Sequence, residues 1–151
     1  MGLDMYLYLE AEEYISGYQH NGQEAQNRFK EIAQATGLID IVAEDTPTMK
    51  VSIVAVYWRK ANQIHAWFVQ NVQEGVDECE RHWVPREKLV ELRDLCLDVL
   101  ENGGAEEKLP TQSGFFFGGT AYDDRYTGDL EHTAKSLTKL LEKVPEDSRV
   151  Q

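Results

Sequence analysis

Between Tyr57 and Phe68 the chain reads YWRKANQIHAWF, setting Arg59, Lys60, Asn62 and His65 among four large aromatic side chains. A histidine in such company is a metal ligand, an acid or base near neutral pH, or a buried ring hydrogen-bonded at both nitrogens. If a helix starts here, Arg59 and Lys60 add to the partial positive charge of its free amides and favour an anion. The plainer role for the two cations is a solvated pair facing some of the chain's many carboxylates. Asn62, one turn before His65, adds hydrogen-bonding groups, and Trp58 offers a ring that could stack on a flat ligand. Aromatic residues at these spacings more commonly build a core. A second such region is LPTQSGFFFGG, where Thr111, Gln112 and Ser113 place polar atoms in a loop. In an extended chain Phe115, Phe116 and Phe117 cannot share one face, so at least one ring meets a second core layer, a ligand or a partner.

Signals of catalysis are thin. There is no Gly-x-Ser-x-Gly, no glycine loop with a phosphate-binding lysine, and no His-Glu-x-x-His. Asp123 and Asp124 are the carboxylates the sequence offers His65 as acid–base partners. Cys79 and His82 have a spacing that zinc uses, but no second close pair accompanies them, so no metal and no cofactor is expected.

These residues must be positioned by a small set of elements. Leu3, Met5, Leu7 and Leu9 alternate with Asp4, Tyr6, Tyr8 and Glu10, which predicts a strand with its leucines toward a core and Asp4 lined up with two tyrosines. Asn21 and Glu24 read as a capping box opening a helix whose stripe is Ala25, Phe29, Ile32 and Ala33, ended by Gly37. Leu38 to Val42 reads as a short strand. Met49 to Tyr57 is almost wholly apolar and predicts a central strand buried on both faces. A helix follows over Ala61 to Val72, with His65 inside its apolar arc. Pro85 opens another, with Leu89, Leu92, Cys96, Val99 and Leu100 inward and Asn102-Gly103-Gly104 at its end. A last helix is expected from about Leu130, capped by Asp129 or Thr127, with Leu130, Ala134, Leu137 and Leu141 as its face. The expected fold class is α+β: one small, mainly antiparallel sheet packed against about four helices, a single domain over residues 1–151 whose tail from 145 to 151 frays.

Composition bounds the partners. Hydrophobic residues make up 42% and charged residues 28% of 151 positions, ordinary globular usage. Twenty-seven acidic residues against 15 basic ones give a formal charge of −12, which repels phosphate backbones and argues against general nucleic-acid binding. The same surface could attract a basic protein. No apolar stretch approaches the ~20 residues of a membrane helix, and no signal peptide is expected. Met1-Gly2 does not read as a myristoylation signal, because Tyr6 stands where Ser or Thr is needed. Cys79 and Cys96 read as reduced thiols of a cytoplasmic protein.

Three segments, MGLDMYLY, YWRKANQIHAWF and LPTQSGFFFGGTAYDD, together resemble a functionally uncharacterised family of small bacteriophage and prophage proteins. They span about a quarter of the chain, and residues 10–50 fall outside the match. The resemblance implies a protein made in the cytoplasm of an infected or lysogenic bacterium; it brings no activity or cofactor. If the shared segments form one site, its ligand-binding residues are Asp4, Tyr57, Arg59, Lys60, Asn62, His65, Gln112 and Tyr122, with Trp58 or Phe116 to stack. The function expected is non-catalytic binding of a small anionic, nucleotide-like ligand, such as a bacterial immune signal to be sequestered. One alternative is an acidic inhibitor of a host protein. Another is a small enzyme acting on a phosphorylated or nucleotide substrate with His65 as acid or base.

Overall fold

The computed structural model describes residues 3–15, 22–42, 46–114, 117–144 and 149–150. The fold is a small α+β one. Strand β1 (Asp4–Tyr14) pairs with β2 (Thr48–Arg59), and the two-residue β3 (Arg149–Val150) adds to the other side of β1. The pairing is antiparallel: Lys60 N–H donates to Leu3 O at one end and Ile15 N–H to Pro47 O at the other. Residues 149–150 were expected to fray; the other tail residues, 145–148 and 151, lie outside those described. The chain divides into two compact units, Met1–Leu9 with Ile53–Gln151, and Glu10–Ser52.

The first unit holds the main core. Alternation along β1 sends Leu7 inward and leaves Asp4 and Tyr6 exposed, as a strand with one covered face requires. Helix α2 (Asn62–Asn71) follows β2 directly, and α3 (Arg86–Asn102), the short α4 (Ala105–Lys108) and α5 (Asp124–Lys143) complete the unit. Leu89, Leu92, Cys96 and Val99 of α3 are buried, and α3 packs against α5. Burial pushes the Cys96 thiol up to about 12. Leu130, Ala134, Leu137 and Leu141 form the buried face of α5, as their spacing requires.

That helix begins earlier than its sequence suggests. Asp123, not Asp129 or Thr127, is the cap, its carboxylate accepting from the amides of Arg125 and Tyr126 at 3.0 and 3.2 Å. Gly128 is carried inside the helix. Strand β2 also departs from expectation. It lies at the sheet edge rather than the centre, and Ile53, Val54 and Tyr57 are exposed. Only Val56 and Trp58 of this strand are buried, because one face alone meets helices.

In the second unit α1 (Gly22–Ala35) ends as predicted. Leu38 N–H reaches Ala33 O and Gly37 N–H reaches Gln34 O, with Gly37 in the left-handed region at φ 72. Ala25 and Ala33 are buried, but Ile32 of the expected stripe is exposed, and Asn21 lies outside the described residues. Residues 38–42 form turns instead of a strand, because the amides of Ile41 and Val42 bond back to Leu38 O. Glu10 is buried with the Lys50 ammonium 2.6 Å from its carboxylate, and Arg28 pairs with Glu13.

Candidate functional site

The residues singled out by their chemistry fall around two hollows of the first unit. The larger, about 320 Å³, runs along Leu3 and the first half of β1 to Tyr8. Its far wall is the irregular stretch from Gln73 to Val84, and Trp58, Phe68 and Val72 supply apolar lining. His65 enters it from α2, with Nε2 3.3 Å from Oδ2 of Asp77 and its ring 5.4 Å from that of Phe117. His65 therefore touches both the 73–84 stretch and the loop after Gly114. Its carboxylate partner is Asp77; Asp123 caps α5, and Asp124 is exposed in that helix's first turn.

Along the exposed face of β1 the tyrosines form a row. The Tyr57 and Tyr6 rings are 5.1 Å apart and those of Tyr6 and Tyr8 6.1 Å apart. The Arg81 guanidinium sits 4.2 Å from the Tyr8 ring centroid, a cation–π contact. At the other end the Tyr57 hydroxyl donates to Asp4 at 2.6 Å. That hydrogen bond, with some desolvation, raises the Tyr57 phenol above its ordinary value. Asp4, Tyr6, Tyr8, Arg81 and His82 all line the hollow, which thus has an aromatic flank beside groups able to carry positive charge.

Asn62 serves a different purpose from the one its sequence context suggests. It is buried, its Nδ2 donates to Phe117 O (3.1 Å) and Gly119 O (3.0 Å), and its Oδ1 accepts from Gln112 N–H (2.8 Å). One side chain thereby ties Gln112, Phe117 and Gly119 to the start of α2. Gly114 packs closely on Phe117, where a Cβ would come within 2.6 Å of the ring. Tyr122 supports Thr111, its hydroxyl accepting from Thr111 N–H at 3.3 Å and its ring packing edgewise on Tyr126. Gln112 contributes its backbone amide. A satisfied buried amide thus joins the second and third distinctive segments, while the first meets the second through the Lys60 N–H bond to Leu3 O and the Tyr57 hydroxyl bond to Asp4.

Trp58 is a core residue, buried with its Nε1–H donating to Thr133 Oγ1 at 2.8 Å, and it meets the larger hollow only as part of its apolar lining. Arg59 is exposed on β2 and lines neither hollow. Lys60 lines the smaller hollow, about 110 Å³, with Asn62, Gln63, Thr111, Asp123, Arg125 and Asp129 among its walls. Phe116 lies outside the described residues. The ten expected residues are therefore not gathered into one site: Asp4, Trp58 and His65 border the larger hollow, and Lys60 and Asn62 the smaller.

Tyr6, Tyr8, Asp77, Arg81 and His82 are additional members of the larger hollow. The tyrosines share the parity of Asp4 along β1, so the alternation already placed them beside it. No periodicity marks Asp77 and Arg81, and His82 stands out in the sequence only for its spacing from Cys79, because the stretch is neither helix nor strand. Among the described residues, no three His, Cys, Asp or Glu side chains gather as a metal ion would need. No protein-family model matches the chain, and neither a curated protein nor a solved structure matches it.

Proposed function

We propose that the chain is a phage-type accessory protein that binds a small anionic, nucleotide-like ligand without transforming it. The supporting observation is the 320 Å³ hollow, flanked by Tyr6 and Tyr8 with Arg81 stacked beside them. Its volume lies at the lower end of the ~300–1,000 Å³ typical of small-molecule pockets. A flat ring would contact the tyrosines, and its anionic group would be met by the Arg81 guanidinium, with the His82 and His65 rings as hydrogen-bond partners. Three carboxylates also line the hollow: Asp4 and Asp77 are engaged by Tyr57 and His65, which moderates their repulsion of an anion, and Glu80 stands beside Arg81 in the chain. The phage setting, and sequestration of an immune signal within it, rest on the resemblance of the three segments.

Thermal denaturation with a panel of nucleotides and sugar phosphates tests this reading. A ligand at ~100 times its Kd stabilises the folded chain by ~2.7 kcal/mol, and Tyr8→Leu and Arg81→Ala each reduce that gain. If no anionic ligand stabilises protein freed of copurified small molecules, the reading fails.

A second reading, the acidic inhibitor of a host protein, is favoured by one observation. Tyr6, Ile53, Val54 and Tyr57 expose large apolar surface on the two long strands. Capture of a partner from bacterial lysate should then weaken as salt rises, since steering by the −12 charge is screened.

A further inference from the structure

The smaller hollow has its own charge pattern. Lys60 and Arg125 both line it, and among the described residues neither comes within ion-pair distance of a carboxylate, although Asp123 and Asp129 line the same walls. Four charges thus border a space of about 110 Å³ without closing on one another. That is roughly the room of three or four waters, enough for one tetrahedral oxyanion.

The walls are fixed. Lys60 has φ 58, a left-handed conformation uncommon outside glycine. Its N–H is tied to Leu3 O at 2.6 Å, and Gly118 closes on it so tightly that a Cβ there would meet Lys60 Cβ at 3.3 Å. Asp123 Oδ1 is committed to capping α5. Asp129 accepts from Gln63 Nε2 at 3.2 Å through Oδ2, leaving Oδ1 as an acceptor. Burial raises the Asp129 carboxyl above its ordinary value despite the hydrogen bond from Gln63 and the nearby charges of Arg125 and His132, with Asp123 adding to the rise.

We propose that this hollow binds a protonated phosphate group, its unprotonated oxygens accepting from Lys60 and Arg125 and its P–OH donating to Asp129. The two cations and two carboxylates cancel in formal charge, so the site offers no bulk attraction to anions and selects by hydrogen-bond pattern. Sulfate has the same shape but no proton to give at neutral pH, and it would face the Asp129 carboxylate acceptor to acceptor. Inorganic phosphate keeps a P–OH at pH 7.5. A phosphomonoester loses its last one above pH ~6 and should leave the site as pH rises through that value. This proposal stands apart from the larger hollow and does not need a ligand there.

Titration calorimetry on the full chain in phosphate-free buffer tests it, with inorganic phosphate, sulfate and glycerol 3-phosphate as probes. Phosphate should bind at pH 7.5 at least tenfold more tightly than sulfate, and Lys60→Met and Arg125→Met should each weaken it tenfold or more. Glycerol 3-phosphate should bind at pH 5.5 and weaken at pH 7.5. Asp129→Asn, whose amide can donate, should bring sulfate up to phosphate. Arg125 is exposed, so its variant reports on the site even if Lys60→Met folds poorly. Equal binding of phosphate and sulfate by the parent protein, no binding of phosphate, or phosphate binding untouched by Arg125→Met would each overturn the proposal.

Discussion

Helices α1 and α5 look alike as sequences, each an amphipathic stretch with a legible apolar stripe, yet they are used very differently. Helix α5 buries seven residues, among them Leu130, Leu137 and Leu140, whereas α1 buries Gly22, Ala25 and Ala33. In the unit that holds α1, Ile32, Leu38 and Ile41 are exposed, and a hollow of about 330 Å³ opens between Phe29, Ile39 and Val42. The difference shows that an apolar stripe is only half of a core. Its energy is realised when an opposing surface removes it from water, and residues 10–52 are too few to cover one another fully. Both hollows with chemistry on their walls belong to the well-packed unit, where side chains have fixed neighbours.

The sharpest way to break this contrast is a matched pair of truncations. Leu137→Ala should cost about 2–5 kcal/mol of unfolding free energy in urea, because Leu137 is fully enclosed and its neighbours cannot collapse without loss. Phe29→Ala should cost less, since its ring is half-buried and already borders open space. Equal costs would erase the distinction between the two units. Next in size is Asn62→Ala, which strips partners from the Gln112 amide and from two carbonyls at once. A loss of about 1–3 kcal/mol is expected, accompanied by faster proteolytic cutting between residues 111 and 121. A stability loss without new cutting in that stretch would show that Asn62 does not hold the loop.

Much of this arrangement was readable in the sequence wherever one periodicity governed. The alternation in LDMYLYLE placed Leu7 inside and set Asp4, Tyr6 and Tyr8 in one row, and the α3 stripe from Leu89 to Val99 is buried as spaced. The failures have physical causes. An apolar run such as VSIVAVYW states that a strand forms, but the number of strands beside it is a property of the whole sheet, so the edge position of β2 was not visible. The start of α5 is obscured because Thr127 and Asp129 are also good capping residues; the cap used, Asp123, lies four and six residues before them. His65 stood out from its own helix, whereas Asp77 did not, because their contact joins a periodic element to an irregular one. The polarity of Asn62 reads as a binding role, whereas its side chain bonds three backbone groups distant in the sequence, those of Gln112, Phe117 and Gly119.

The smallest effects should come from exposed charge pairs, and these should be alike in the two units. A hydrogen bond from Arg28 holds the Glu13 carboxyl below its ordinary value in one unit, and hydrogen bonds from Lys108 and Asn102 do the same for Asp98 in the other. A carboxyl lowered in the folded state contributes stability above its unfolded pKa, and that contribution is lost as pH falls through the folded value. Arg28→Ala and Lys108→Ala should therefore each lower the melting temperature slightly at pH 7 and low salt. Both differences should shrink in 1 M salt and vanish near pH 2, where the carboxyls are protonated with or without their partners. Asp129 has the opposite sign: burial raises its folded value, so it costs stability once pH passes the unfolded value of 3.8, and the cost is complete above the folded one. Asp129→Asn should consequently raise the melting temperature at pH 7 and leave it nearly unchanged near pH 2. If Arg28→Ala mattered as much as Leu137→Ala, the α1 unit would be held by charge rather than by packing, and its thin core would need a different explanation.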